Sequence, residues 1–290
     1  MAYRFIKENR GKYAVKEMAG LLGLSCGAFY KWFKHGFSRR REKADAELLS
    51  LIRKIFDNNH GRYGSPRVHQ ELRKLGKRAS LKKTAKMMRE NGLKARSKRK
   101  FIPTTDSKHS LPVCENILNR DFSAEKPGQK WVSDITYLRT VSGWIYLTIV
   151  LDLFDRKIIG WAFSSSMHTE KTTVAALEMA VKNRTPEKDL IFHSDRGVQY
   201  CAQAFRDTLL EHCPLARQSM SHKGNCWDNA CAESFFGTLK KEVPETNGKY
   251  SVAEARQAVF MYIETYYNRV RIHSALDYVA PNGYDLLNVA

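Results

Sequence analysis

Three acidic residues stand where carboxylates are costly. Asp134 lies inside the apolar run Trp131-Val-Ser-Asp-Ile-Thr-Tyr-Leu138, and Asp195 closes Leu190-Ile-Phe-His-Ser-Asp195. Glu233 falls within Asn229-Ala-Cys-Ala-Glu-Ser-Phe-Phe-Gly-Thr-Leu-Lys240. A carboxylate in an apolar strand is expensive unless it is paired or holds a metal. Two unit charges ~4 Å apart repel by about 4 kcal/mol at an effective dielectric of 20. If the three acids converge, they either hold a proton or recruit hard divalent cations, which take oxygen ligands and bridge to phosphates. Two such ions can activate a water or a 3′-hydroxyl and stabilise the leaving oxygen of an in-line displacement. Spacing alone does not establish convergence. Taken singly, each acid is more often a strand-end hydrogen-bond acceptor or a solvated helix residue.

The competing groups read differently. Asp152 and Asp155 flank a turn at Phe154 and read as hairpin residues, while Asp228 reads as the cap of the helix that carries Glu233. Cys226 and Cys231, with His212 and His222, have irregular spacing for a zinc site. No Walker lysine motif and no Gly-x-Gly-x-x-Gly occurs, so nucleotide-driven work is not indicated.

The elements that must position the acids follow from periodicity. Segments 131–138, 144–154 and 157–163 are rich in β-branched and aromatic residues and read as three strands. Segment 169–183 is helical, with Val174, Leu177 and Val181 on one face. A short strand over 190–193, a helix over 202–211, a strand near 218–220 and helices over 229–242 and 252–267 complete the chain. This order implies an α/β domain with a mixed sheet.

Charge separates that domain from what precedes it. Residues 1–100 carry 28 Lys and Arg against 8 Asp and Glu, and residues 101–290 carry 21 against 22. A basic module joined to a neutral one points to a polyanionic partner. Residues 1–60 contain Val15-Lys-Glu-Met-Ala-Gly-Leu-Leu-Gly-Leu-Ser-Cys-Gly-Ala-Phe-Tyr-Lys-Trp-Phe33, which fits a helix-turn-helix. Ala19 stands at the helix crossing and Gly23 in the turn, with Met18, Leu22, Leu24, Phe29 and Trp32 as the lock. Ser25 caps the second helix, which presents Lys31 and Lys34 to DNA. The Gly23-x-Ser25-x-Gly27 match to a hydrolase nucleophile elbow fails, because a helix precedes the serine. Residues 61–96 form a second basic helical module. Ser65-Pro66 and Ser80 start its helices, and Arg67, Lys82 and Lys83 are expected on phosphate. Residues 97–130, with Pro103, Pro112 and Pro127, read as an extended linker, and 131–290 as the catalytic domain.

The longest strongly apolar run, Trp144 to Leu151, is far shorter than the ~18 residues of a spanning helix, and the N-terminus Met1-Ala-Tyr-Arg-Phe-Ile-Lys lacks the apolar stretch of a signal peptide. The six cysteines contain no Cys-x-x-Cys pair and read as reduced thiols. A cytoplasmic, nucleoid-associated protein without membrane contact is expected.

Several long motifs together resemble the two-frame bacterial insertion-sequence transposases. They are Arg62-Tyr-Gly-Ser-Pro-Arg-Val-His, Trp131-Val-Ser-Asp-Ile-Thr-Tyr, His193-Ser-Asp-Arg-Gly-Val-Gln-Tyr, Ser219-Met-Ser-His-Lys-Gly-Asn-Cys-Trp-Asp-Asn-Ala-Cys-Ala-Glu-Ser, and Tyr267-Asn-Arg-Val-Arg-Ile-His-Ser-Ala-Leu with Pro281. The resemblance implies a ribonuclease-H-like α/β core behind all-α helix-turn-helix modules. It also implies a catalytic and metal-holding triad of Asp134, Asp195 and Glu233 with two Mg²⁺ or Mn²⁺ ions. The Asp195-to-Glu233 interval is slightly longer than the family's, with the extra residues near positions 212–215. Expected partners are double-stranded DNA (element ends and target), further copies of the chain on that DNA, and the upstream-frame protein of the same element, whose portion is absent before Met1. Lys240, Arg196 and Lys223 are expected on DNA near the triad. The implied activity is hydrolytic cleavage of element ends followed by transfer of the 3′-hydroxyl to another phosphodiester. A DNA-binding regulator or a catalytically silent relative is the alternative, which the intact triad disfavours. A tyrosine recombinase using Arg269, Arg271, His273 and Tyr266 would need a dispersed pattern that this crowded segment lacks.

Overall fold

A computed structural model describes residues 2–35, 39–96, 111–223 and 225–288. The chain divides into two compact units, Met1–Ala95 and Arg96–Ala290.

The first unit is helical: α1 (Ala2–Asn9), α2 (Val15–Leu21), α3 (Cys26–His35), α4 (Arg39–Asn58), α5 (Ser65–Lys74) and α6 (Leu81–Glu90). Helices α2 and α3 form the expected helix-turn-helix. Gly23 takes φ +64° in the turn, a left-handed conformation that a Cβ would strain. The lock differs in detail. Ile6 of α1 joins Met18, Ala19 and Phe29 in a core flanked by Leu24 and Trp32. Leu22 is 43% exposed and takes no part in it. Ser25 Oγ accepts from the Ala28 amide at 3.4 Å, in keeping with a capping role. Ser80 caps α6 by accepting from the Lys83 amide at 3.2 Å. At α5 the cap is Gly64, so Ser65 already stands inside the helix and Pro66 follows it in the first turn.

The second unit is built on a sheet of order β3-β2-β1-β4-β5. Its strands are β1 (Lys130–Thr140), β2 (Gly143–Asp152), β3 (Ile158–Ser164), β4 (Ile191–Ser194) and β5 (Arg217–Met220). The first three are antiparallel neighbours, while β4 pairs parallel with β1 and β5 parallel with β4. Between and after them run α7 (Thr173–Asn183), α8 (Val198–Cys201), α9 (Gln203–His212), α10 (Ala230–Glu242), α11 (Val252–Phe260) and α12 (Pro281–Asn288). The mixed α/β sheet is as expected from the pattern. One core gathers Trp131, Val150, Ile159, Leu177, Leu190, Phe192, Phe205 and Met220.

Four local readings change. The helix expected over 169–183 is broken at Thr172, where a short 3₁₀ turn gives way to α7, and its buried face is Thr173, Ala176, Leu177 and Ala180. The helix expected over 252–267 is α-helical only to Phe260 and widens into a π-turn over Met261–Tyr267. Asp152 and Asp155 do lie at the β2–β3 turn, but both are fully buried and share Arg184, at 3.1 Å and 2.8 Å. Of the segment read as a linker, residues 97–110 lie outside the described residues. Residues 111–129 carry no helix or strand, yet Leu118 is buried and the Ile117 and Leu118 amides both donate to Ser219 Oγ, at 2.9 Å and 3.1 Å.

Candidate active site

Sheet register brings the first two acids together. Val132 of β1 stands opposite His193 of the parallel strand β4. Side chains alternate along a strand, so Asp134 and Asp195, each two residues further on, emerge side by side on one face. Asp195 stands just past the carboxyl end of β4, where its Oδ1 accepts from the Gly197 amide at 2.9 Å. The Asp134 carboxylate accepts from the Ile135 amide at 2.8 Å. The third acid arrives on α10, which packs on β1. At the start of α10, Asn229 Nδ2 donates to the Ser133 carbonyl at 2.9 Å, one residue before Asp134. Ala232, Phe235, Phe236 and Leu239 bury one side of the helix, which leaves Glu233 and Lys240 half-exposed.

Electrostatics ties these groups to one another. Asp134 is held well above the usual carboxylate range, first by burial, then by the negative charges of Asp195 and, less strongly, Glu233. The Lys240 ammonium opposes that rise. Burial raises Glu233. Burial also lowers Lys240, and the charge of Asp134 opposes it. Beneath the acids, Tyr200 Oη is 2.7 Å from Ser133 Oγ, and burial followed by the charges of Asp134 and Asp195 pushes its phenol far up. Among the described residues, no group of three or more His, Cys, Asp or Glu side chains is arranged to hold a metal ion as it stands. The donor set is nonetheless the one hard cations take, carboxylate oxygens whose like charges repel one another. Asn229 adds a buried Oδ1 without a hydrogen-bond partner. These residues therefore fit a divalent ion.

A clamp that sequence reasoning missed fixes the approach to α10. Asp228 is buried rather than a simple helix cap; the cap position belongs to Asn229. The Asp228 carboxylate accepts from Arg120 Nε at 2.8 Å, the His222 amide at 2.9 Å and Asn116 Nδ2 at 3.0 Å, with His222 Nδ1 at 2.8 Å. Burial opposes its ionisation, yet these bonds hold the carboxyl down at about 2. His193 is enclosed between Ser219 Oγ and Ser221 Oγ, and burial lowers it to about 4, so it is neutral near pH 7. Spacing gave no sign of Tyr200, Asn116 or Arg120. Of the Cys226/Cys231 zinc reading, the Cys226 side chain lies outside the described residues, and Cys231 Sγ accepts from Arg156 at 2.8 Å.

The residues expected on DNA are distributed unevenly. Lys223 is exposed on the loop before α10, whereas Arg196 Nε is engaged by the Ser221 carbonyl at 2.6 Å. In the first unit Ser25, Lys31, Lys34 and Lys82 are exposed, and Arg67 lies over the Tyr63 ring. Lys83 is ion-paired with Asp45, so part of its charge is already met within the unit. A depression of about 430 Å³ lined by His69, Arg73, Lys77 and Arg78 adds further basic residues to this unit.

Comparison with known proteins agrees with this architecture. The family model described as "Integrase core domain" matches residues 124–226, a second model of the same description matches 216–281, and "HTH-like domain" matches 43–101. Transposase InsF for insertion sequence IS3A of Escherichia coli (strain K12) is 40% identical over 291 residues, covering 100% of both chains. The insertion element IS600 uncharacterized 31 kDa protein of Shigella sonnei is 38% identical over 267 residues, 92% of this chain and 97% of that one. Among solved structures, the HTLV-2 integrase catalytic core domain in complex with magnesium is similar at 12% identity, with a TM-score of 0.43, over 56% of this chain and 99% of that chain.

The mixed five-strand sheet with its helices is a ribonuclease-H-like integrase core, and a helical helix-turn-helix region precedes it. The chain belongs to the IS3-type family of insertion-sequence transposases. Among its described residues no helix is long and apolar enough to cross a membrane.

Proposed function

We propose that this transposase cuts the ends of its element by phosphodiester hydrolysis and then joins the new 3′-hydroxyl to a second phosphodiester, with Asp134, Asp195 and Glu233 as one catalytic set. The observation that carries this is the parallel register of Val132 with His193, which sets Asp134 beside Asp195 where α10 brings Glu233. Asp134 and Asp195 would hold divalent cations between them, with Glu233 as the third carboxylate. When bound, such ions supply Lewis-acid activation of the attacking oxygen and stabilise the leaving one.

The chain's own residues do the rest. Gly197 and Ile135 amides fix the two aspartates, and Asn229 ties α10 to β1 so that Glu233 keeps its place. Lys240, drawn electrostatically to Asp134, would contact a DNA phosphate beside the acids. In the first step water adds at phosphorus and the bridging oxygen leaves as a 3′-hydroxyl. In the second, that hydroxyl adds at another phosphorus and a new 3′-hydroxyl departs. The basic residues of 1–96 hold duplex DNA, so binding weakens steeply as salt rises. Element ends and target are the DNA partners, the working form is several copies assembled on DNA, and the upstream-frame protein of the same element is a further partner. Such work would be done in the cytoplasm, on the nucleoid.

The test is a cleavage and strand-transfer assay on duplex oligonucleotides carrying the element ends, with Mg²⁺. Asp134→Asn, Asp195→Asn and Glu233→Gln should each abolish both reactions while DNA binding persists. A wild-type chain that binds ends but never nicks them would instead assign a regulator.

A further inference from the structure

Trp227 is the most exposed of the five tryptophans, at 69%, yet the two residues that follow it are buried. It belongs to a 3₁₀ turn, Cys226–Asn229, in which the next two residues, Asp228 and Asn229, are 1% and 3% exposed. Asp228 is held by Arg120, Asn116 and His222. Asn229 is held by the Ser133 carbonyl, directly before Asp134. Two residues of chain span at most about 7 Å, so the Trp227 backbone lies within that reach of Asn229, which is tied to the strand that carries Asp134. Glu233 follows six residues later, in the first turn of α10. Among the described residues the Trp227 ring makes no aromatic or cation contact. Trp144, by comparison, is 55% exposed but lies against Tyr137 and Arg139.

A large apolar ring held out in water beside two anchored residues gains nothing for folding, since burial is what stabilises such a side chain. Two basic residues accompany it beside the acids: Lys223 is exposed on the same loop, and Lys240 stands by Asp134. An aromatic face beside basic residues is the platform on which unpaired bases stack, because every base offers a π face whatever its sequence.

We propose that Trp227 is a nucleobase-stacking residue: its indole takes an unpaired base next to the phosphodiester that the Asp134 site attacks, and so holds the frayed DNA end in register. The proposal rests on the catalytic reading above and adds the base as a second point of recognition. Within a duplex both faces of a base are covered by neighbours, so the ring selects ends that open. Lys223 contributes charge to the adjacent backbone, while the ring contributes position.

The test uses the full chain and end duplexes carrying 2-aminopurine next to the scissile phosphate, whose fluorescence reports stacking. Wild type should quench the probe on binding. Trp227→Ala should lose the quenching and slow end cleavage at least about tenfold, with thermal unfolding unchanged because the ring is exposed. Trp227→Phe should restore most of both, and Trp144→Ala should behave as wild type. Pre-frayed ends should recover part of the rate lost in Trp227→Ala. Unchanged quenching and cleavage in Trp227→Ala would overturn the proposal while leaving the catalytic reading intact. A loss that Phe does not restore would also overturn it, as would a loss seen only in assembly of copies, which would make Trp227 a protein contact. If wild type quenches the probe but never cleaves, the catalytic reading fails and the stacking reading stands.

Discussion

Replacing Asp228 with Asn keeps the shape of the clamp and removes its charge. The buried carboxylate faces Arg120 Nε, the His222 amide, Asn116 Nδ2 and His222 Nδ1, all within 3.0 Å. An amide offers one acceptor atom and turns an NH₂ toward groups that are themselves donors. The carboxyl sits at about 2 in the fold against 3.8 as the ordinary value. Each unit is worth about 1.4 kcal/mol, which gives a ceiling of roughly 2.5 kcal/mol. The Arg120 and His222 side chains are 51% and 61% exposed, so solvent screening reduces this to about 1–2 kcal/mol. The sign follows from the lowered value: the contribution is present above about pH 4 and is lost as pH falls through about 2. Denaturant unfolding of wild type and Asp228→Asn at pH 7 and pH 3 should show a gap that roughly halves at the lower pH. End cleavage should fall further than stability, because the same turn sets the start of α10. Equal stability at pH 7, or a loss independent of pH, would refute the reasoning.

Other perturbations test the frame around the site. A Cβ at Gly160 would come within 2.2 Å of the Ala176 carbonyl oxygen, so Gly160→Ala should push α7 off β3 and cost about 1–3 kcal/mol or more in denaturant unfolding. Burial pushes Asp155 up to about 6 despite Arg184, so its folded form favours the proton and stability should decline as pH rises from about 4 through 6. Asp155→Asn should flatten that slope in unfolding measured across the same range. Lys240→Ala should weaken end engagement and strand transfer well beyond Lys241→Ala, since the neighbouring side chain points about 100° away on the helix. Similar losses for the two would reduce Lys240 to a surface charge.

Periodicity carried the strands and most helices because burial on one face leaves a repeat of two or about 3.6 in the residues themselves. It could not show register. The adjacency of Asp134 and Asp195 follows from Val132 facing His193 across two strands about sixty residues apart in sequence, a long-range pairing with no local signature. The resemblance supplied the grouping instead. Asp228 was misread for the opposite reason: a local rule, acid before helix, had a ready explanation, whereas its partners Asn116 and Arg120 lie more than 100 residues upstream. Asp152 and Asp155 were placed correctly at a turn, but nothing near them in sequence announced Arg184. Leu22 shows the limit of a motif, since α1 supplied Ile6 in its stead.

The central claim is that Asp134, Asp195 and Glu233 form one cation site, and metal-directed cleavage of the polypeptide addresses it without relying on turnover. Fe²⁺ substituted for the native divalent ion, with ascorbate and peroxide, generates hydroxyl radicals that cut the chain within reach of the bound ion. The account predicts three cuts, near residues 134, 195 and 233, all suppressed by excess Mg²⁺ and lost together in Asp195→Asn. Cuts confined to one of these positions, or clustered elsewhere such as around His222 and Cys231, would contradict it.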